Sequence, residues 1–174
     1  MSQANSLSEI EQNFSRWCKN TLGLSNAKIA SELSGGNSNL TQLVKTDQRE
    51  LVMRSAPANT ISPKAHLGVQ REAMVMSELQ GHALVPEVVA WNEDASIIGR
   101  PFSLIECVEG VSITNKLPNT YNGTSAVNAL GEQSVRELAR IARAPWVRLS
   151  NAKLGKPERF LERLIKRWIS ILLD

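Results

Sequence analysis

Residues 27–54 read AKIASELSGGNSNLTQLVKTDQRELVMR, and this stretch decides the fold. Ala27 to Leu33 and Leu40 to Lys45 predict two strands flanking the loop Ser34-Gly35-Gly36-Asn37-Ser38-Asn39. A polar turn at Thr46-Asp47-Gln48 leads into a third strand, Leu51-Val52-Met53-Arg54. Three antiparallel strands in a row are the expected opening of a sheet.

Upstream, Leu7, Ile10, Phe14, Trp17 and Leu22 recur at helical spacing. Ser6 and Glu9 stand at capping-box spacing and Gly23 lies just past the end, so an amphipathic helix is predicted over Leu7 to Leu22. Downstream of a loop from Pro57 to Pro63, Leu67 to Leu79 predicts a second helix with Val69, Ala73, Met76 and Leu79 on its apolar side and Gly81 closing it. Two short apolar runs follow, Val85 to Trp91 and Phe102 to Val108. The fold class implied is α+β: a five-stranded antiparallel sheet with a helix inserted after the third strand.

Beyond Gly110 the texture changes. Ser112 to Thr124 is polar and loop-like, Ser134 to Ala142 predicts a helix with Leu138 and Ile141 inward, and Pro157 to Leu173 predicts another. A boundary near residues 109–112 would divide a lobe at 1–109 from a linker and first helices at 110–174. In the last helix Phe160, Leu161, Leu164, Ile165, Trp168, Ile169, Leu172 and Leu173 form a wide apolar stripe that requires a partner. Self-association through this stripe, giving a homo-oligomer, is one expectation.

Composition narrows the classes of function. The chain has 174 residues, 42% of them apolar and 21% charged, which is the range of ordinary globular domains. The net charge is +3, but Lys and Arg are scattered and aromatic residues make up 5%, so a nucleic-acid surface with a basic stripe and interleaved rings is not expected. A mildly positive field equally suits nucleoside triphosphates or acyl-coenzyme A. Cys18 and Cys107 are far apart and lack ligand-spaced partners, which argues against a zinc site and a disulfide framework and favours a reducing cytoplasm. Met1 to Ser8 does not read as a secretory leader, and no run approaches the length of a membrane span.

Three segments can carry chemistry. In Ser34 to Asn39, paired glycines let the backbone approach a ligand closely, while amides and Ser/Asn groups can hold phosphate oxygens. Taken alone, the same segment also reads as an ordinary hairpin, and it is no Walker loop because no Gly-Lys-Ser/Thr follows. Arg54 on the third strand and Glu72 on the next helix fit a phosphate-binding cation held by a carboxylate, or equally two solvated surface charges. Gly99 to Gly110 is an apolar strand running into Glu109-Gly110. It reads as a hinge that offers its backbone to a planar base, or as a plain core strand.

In this order the segments resemble the aminoglycoside phosphotransferase and choline kinase-like family, most closely the phosphotransferase domains associated with acyl-CoA dehydrogenases. The resemblance rests on Leu33 to Asn39, Glu50 to Arg54, Gln70-Arg71-Glu72, Val85-Pro86-Glu87-Val88 and Gly99 to Gly110. Leu154 to Arg163 with Arg167-Trp168 adds to it. It implies a kinase-like lobe in which Ser34, Gly35, Gly36, Asn37, Ser38 and Asn39 cover the triphosphate of ATP or GTP. Arg54 would stand where protein kinases hold a lysine, Glu72 would orient it, and the backbone of Glu106 and Val108 would receive the base. Arginine at that place is a departure, because a planar guanidinium and a compact ammonium grip phosphate differently.

The family's aspartate for the hydroxyl proton and its magnesium ligands come from a His-Gly-Asp segment, a downstream Asn and a later Asp. This sequence has Asp47, Asp94 and Asp174, none in that context, and neither His66 nor His82 precedes Gly-Asp. No catalytic or metal-binding residue is therefore assigned. The expectation is the N-terminal portion of an ATP- or GTP-dependent kinase for a small-molecule hydroxyl, with Mg2+ and the acceptor engaged only in a longer protein. The alternative is a non-catalytic nucleotide-binding or interaction module.

Overall fold

The structure is a computed structural model and describes residues 7–33, 39–57, 66–113, 115–145 and 158–173. The chain divides into two compact units, Met1–Ala144 and Pro145–Asp174. The larger one holds α1 (Leu7–Leu22), β1 (Lys28–Glu32), β2 (Leu40–Lys45), β3 (Glu50–Ser55), α2 (His66–Leu79), β4 (Val88–Asn92), β5 (Phe102–Glu106) and α3 (Thr124–Ala142). The fold is α+β. Its five-stranded sheet has the order β1-β2-β3-β5-β4, every neighbouring pair is antiparallel, and α2 is inserted after the third strand.

Alternation along the strands sorts the sheet into two faces, since directly opposed residues point the same way. Val44, Leu51, Met53, Leu104 and Phe102 turn to one face and form the main core with Phe14 and Cys18 of α1. Phe14 and Trp17 each meet the Phe102 ring edge-on, at centroid distances of 5.7 and 5.0 Å. The other face carries Val52, Arg54, Ser103 and Ile105, and α2 packs there against β3, β4 and β5 through buried Val69, Ala73 and Leu79.

Local signals explain several boundaries. Gly23 takes φ of +69° and its N–H donates to the Lys19 carbonyl at 3.1 Å, ending α1 with a left-handed residue. In the β2–β3 turn the Thr46 hydroxyl donates to the Arg49 carbonyl and accepts from the Gln48 and Arg49 amides. That turn is docked by Asn26 on the Asp47 carboxylate at 2.8 Å and by Gln48 on the Ser25 amide at 3.0 Å.

Elsewhere the structure departs from expectation. β4 begins at Val88, not Val85, because Pro86 has no N–H and the Glu87 amide donates to the Glu106 carboxylate at 3.2 Å. β5 stops at Glu106, two residues before the expected end. α3 starts at Thr124, straight after Gly123 with φ of +94° and ten residues before the expected Ser134, and accommodates Gly131 in its interior, a residue that hides the start of this helix from propensity reading. Leu138, expected inward, is 65% exposed. Ser6 and Leu154 to Pro157, also used above, lie outside the described residues.

The second unit contains α4 (Phe160–Leu173), whose Phe160, Leu161, Ile165, Trp168 and Ile169 are exposed. Among the described residues no helix is long and apolar enough to cross a membrane.

Candidate functional site

The alternation that buries Leu51, Met53 and Ser55 under α1 sends Arg54 to the α2 face. On α2, Val69 and Ala73 seat the helix on the sheet, and Glu72 beside them faces Arg54. Arg54 Nε lies 3.0 Å from Glu72 Oε1, with the two side chains 23% and 31% exposed. The Nε–H is not aimed at the oxygen, so this is a charge contact and not an aligned hydrogen bond. The second oxygen, Glu72 Oε2, accepts from Asn39 Nδ2 at 3.2 Å. One carboxylate thus holds a strand cation and the last residue of the glycine loop together.

Register extends the cluster. Thr41 on β2, Arg54 on β3 and Ser103 on β5 are directly opposed, and Trp91 on β4 continues the row. Ser103 is fully buried, whereas Arg54 keeps part of its surface. Thr41 Oγ1 is shielded and has no hydrogen-bond partner among the described residues. The Thr41 carbonyl accepts from the Leu33 amide at 2.8 Å, which closes the hairpin below the loop.

Glu106 and Val108 stand apart from this cluster. Glu106 lies three residues along β5 from Ser103, roughly 10 Å at the rise of a strand. Its N–H donates to the Glu87 carbonyl at 2.8 Å, while its carboxylate receives the Glu87 amide. The Glu106 N–H is thereby committed to the sheet, and open backbone begins beyond it, where Val108 is exposed. Ser34, Gly35, Gly36, Asn37 and Ser38 lie outside the described residues. Of the expected site residues, then, the structure brings Asn39, Arg54 and Glu72 into one cluster and puts Glu106 and Val108 further along the same sheet.

Thr41 is the residue that reading by motif passes over. Its signal is arithmetic: a turn at 46–49 forces Lys45 opposite Glu50, and counting back four pairs puts Thr41 opposite Arg54.

A partly exposed guanidinium beside a helix carboxylate can bind an oxyanion such as a phosphate oxygen. Among the described residues no group of His, Cys, Asp or Glu is placed to hold a metal ion. The family model described as "APH: Phosphotransferase enzyme family" matches residues 29–173, from β1 to the end of α4. The chain belongs to this phosphotransferase family.

Two curated relatives of this APH chain are similar to it. It is 32% identical over 135 residues to "Acyl-CoA dehydrogenase family member 10" of Mus musculus, covering 76% of the chain and 12% of that protein. It is 30% identical over 145 residues to "Probable acyl-CoA dehydrogenase IBR3" of Arabidopsis thaliana, covering 79% of the chain and 17% of that protein. The crystal structure of a "putative aminoglycoside phosphotransferase" from Ralstonia eutropha JMP134 superposes with a TM-score of 0.69 at 25% identity, over 91% of this chain and 46% of that one. The APH chain thus spans under a fifth of each curated relative and about half of its structural neighbour.

Proposed function

We propose that this APH-family chain is the nucleotide-binding front of a kinase that phosphorylates a hydroxyl group of a small molecule. The observation that carries the reading is the three-residue cluster in which Glu72 binds Arg54 with one oxygen and Asn39 with the other. Ser34 to Asn39 would cover the triphosphate, Arg54 would grip its oxygens and Glu72 would fix Arg54. The roughly 10 Å between the Arg54 row and the end of β5 would be spanned by one nucleotide, with its phosphates at one end and its base at the other. At the base end the Glu106 carbonyl and the Val108 backbone would make the contacts. In this reading residues 1–109 form the nucleotide lobe, and 110–174 the linker and first helices of a second lobe.

ATP or GTP would supply the transferable phosphoryl group. The sequence holds no His-Gly-Asp segment, so in this reading the chain contributes nucleotide binding to the reaction and not the transfer step. The proton-accepting aspartate and the magnesium ligands would come from a longer polypeptide. Both curated relatives are named for acyl-CoA dehydrogenases, and in this reading the acceptor there would be an acyl thioester of coenzyme A that carries a hydroxyl group.

Calorimetric titration of the chain with ATP and GTP, with and without magnesium, tests the reading. Saturable binding that Arg54→Ala weakens by ten- to a hundredfold is the expected result, the loss that follows from removing a hydrogen-bonding partner of an ionised group. Binding unchanged by Arg54→Ala, or no binding at all, would overturn it.

A further inference from the structure

Resting on the nucleotide reading above, we infer that the Thr41 hydroxyl is a further phosphate ligand of this site, donating to an oxygen of the nucleotide tail that Arg54 grips. Three observations converge on it. Thr41 is directly opposite Arg54 in the β2–β3 ladder, so both side chains rise from the same face of the sheet, the one that α2 covers with Glu72. Its carbonyl closes the hairpin on Leu33, which holds the residue at the base of the glycine loop, two positions from Asn39. Its Oγ1 is shielded from solvent and has no partner among the described residues.

A shielded hydroxyl without a partner costs stability, and a polar group kept at such a cost is accounted for if a ligand satisfies it. The nearest charge in the ladder is a cation, so the group drawn to this place is an anion, and an anion needs donors. A threonine hydroxyl is a donor that rotates to suit. Ser103, on the other side of Arg54 in the same row, cannot play this part because it is fully buried under the sheet's own neighbours. Thr41 is only partly buried as a residue, so turning its side chain can bring the hydroxyl to a bound ligand, which full burial denies Ser103.

Two substitutions separate ligand binding from structure. Thr41→Val keeps the branched shape that suits a strand and removes the hydroxyl, while Thr41→Ser keeps the hydroxyl. Magnesium–ATP titrated into the full chain should bind Thr41→Val about tenfold or more weakly and Thr41→Ser within about threefold of the parent, since a hydrogen bond to an ionised partner is lost. Adenosine, which has no phosphate, should bind parent and Thr41→Val alike. Without nucleotide, Thr41→Val should melt no lower than the parent, because the hydroxyl it removes satisfies nothing.

Unchanged ATP affinity in Thr41→Val, equal losses for ATP and adenosine, or a lowered melting temperature would each overturn the assignment. If the parent binds ATP and Arg54→Ala weakens it while Thr41→Val does not, this inference alone fails. If the parent binds no nucleotide, the functional reading and the inference fail together.

Discussion

Trp17 on α1 stands edge-on to Phe102 at the start of β5, with ring centroids 5.0 Å apart and planes at 78°. This contact, with Phe14 on the same ring, joins the N-terminal helix to a central strand of the sheet. Because β5 lies between β3 and β4, the α1 face and the α2 face share this strand. The helix that carries no candidate site residue thereby holds the strand from which the candidate base contacts extend.

Phe102→Ala should accordingly destabilise the larger unit by about 3–5 kcal/mol, the range for emptying a well-packed aromatic site. Its ring is fully buried and meets two other rings. Urea unfolding followed by tryptophan fluorescence measures this, and a loss below about 1 kcal/mol would mean that α1 does not dock as described.

Glu72→Gln separates stability from binding. The Arg54–Glu72 contact is partly exposed and not an aligned hydrogen bond, so its loss should change the unfolding free energy by about 1 kcal/mol or less. Nucleotide affinity should fall about tenfold, because Arg54 loses the charge that orients it. Arg54→Lys should keep part of the affinity, as a point charge replaces a fork. Melting curves and calorimetry on the same samples show whether the two effects divide in this way.

Cys18 offers a test against pH. Burial pushes its thiol from an ordinary value of 9.0 up to about 12. The folded value is the higher one, so the neutral thiol's contribution to stability is fully present below about pH 8.5, shrinks as pH rises, and is gone above about 12. Between pH 7 and pH 10 the loss should reach about 1.4 kcal/mol, and Cys18→Ala should remove that part of the pH dependence. At pH 8 a thiol reagent should modify the partly exposed Cys107 in the native protein and leave Cys18 untouched.

Much of this architecture is legible in the sequence, and the exceptions have physical causes. α1 and β2 have the bounds that periodicity and turn residues predict, because each is flanked by strong punctuation such as Gly23 and the Thr46 turn. The beginning of α3 is hidden because Asn128 and Gly131 lower its helix propensity. Leu138 reads as inward because apolar spacing marks a stripe without saying whether anything covers it. For the site, Arg54 and Glu72 can be chosen by residue type and element. What motif reading does not supply is the bond from Asn39 to the same carboxylate, a contact between residues 33 apart. Thr41's place opposite Arg54 requires a register, and a one-residue slip would send it to the other face.

One substitution made at two glycines should act with opposite sign. An added Cβ would meet nothing within 4 Å at either Gly23 or Gly131, so packing does not distinguish them. Backbone conformation does. Gly23 sits at φ of +69°, where a side chain costs roughly 1–2 kcal/mol, and Gly23→Ala should destabilise the protein by that amount. Gly131 lies inside α3 without a positive φ, so Gly131→Ala should stabilise by roughly 0.5–1 kcal/mol, as a glycine in a helix interior loses more backbone freedom on folding. Denaturant midpoints of the two variants decide it. A gain absent at Gly131, with the loss present at Gly23, would show that α3 unfolds before the sheet instead of with it, because a helix already open at the transition cannot contribute its propensity to the measured stability.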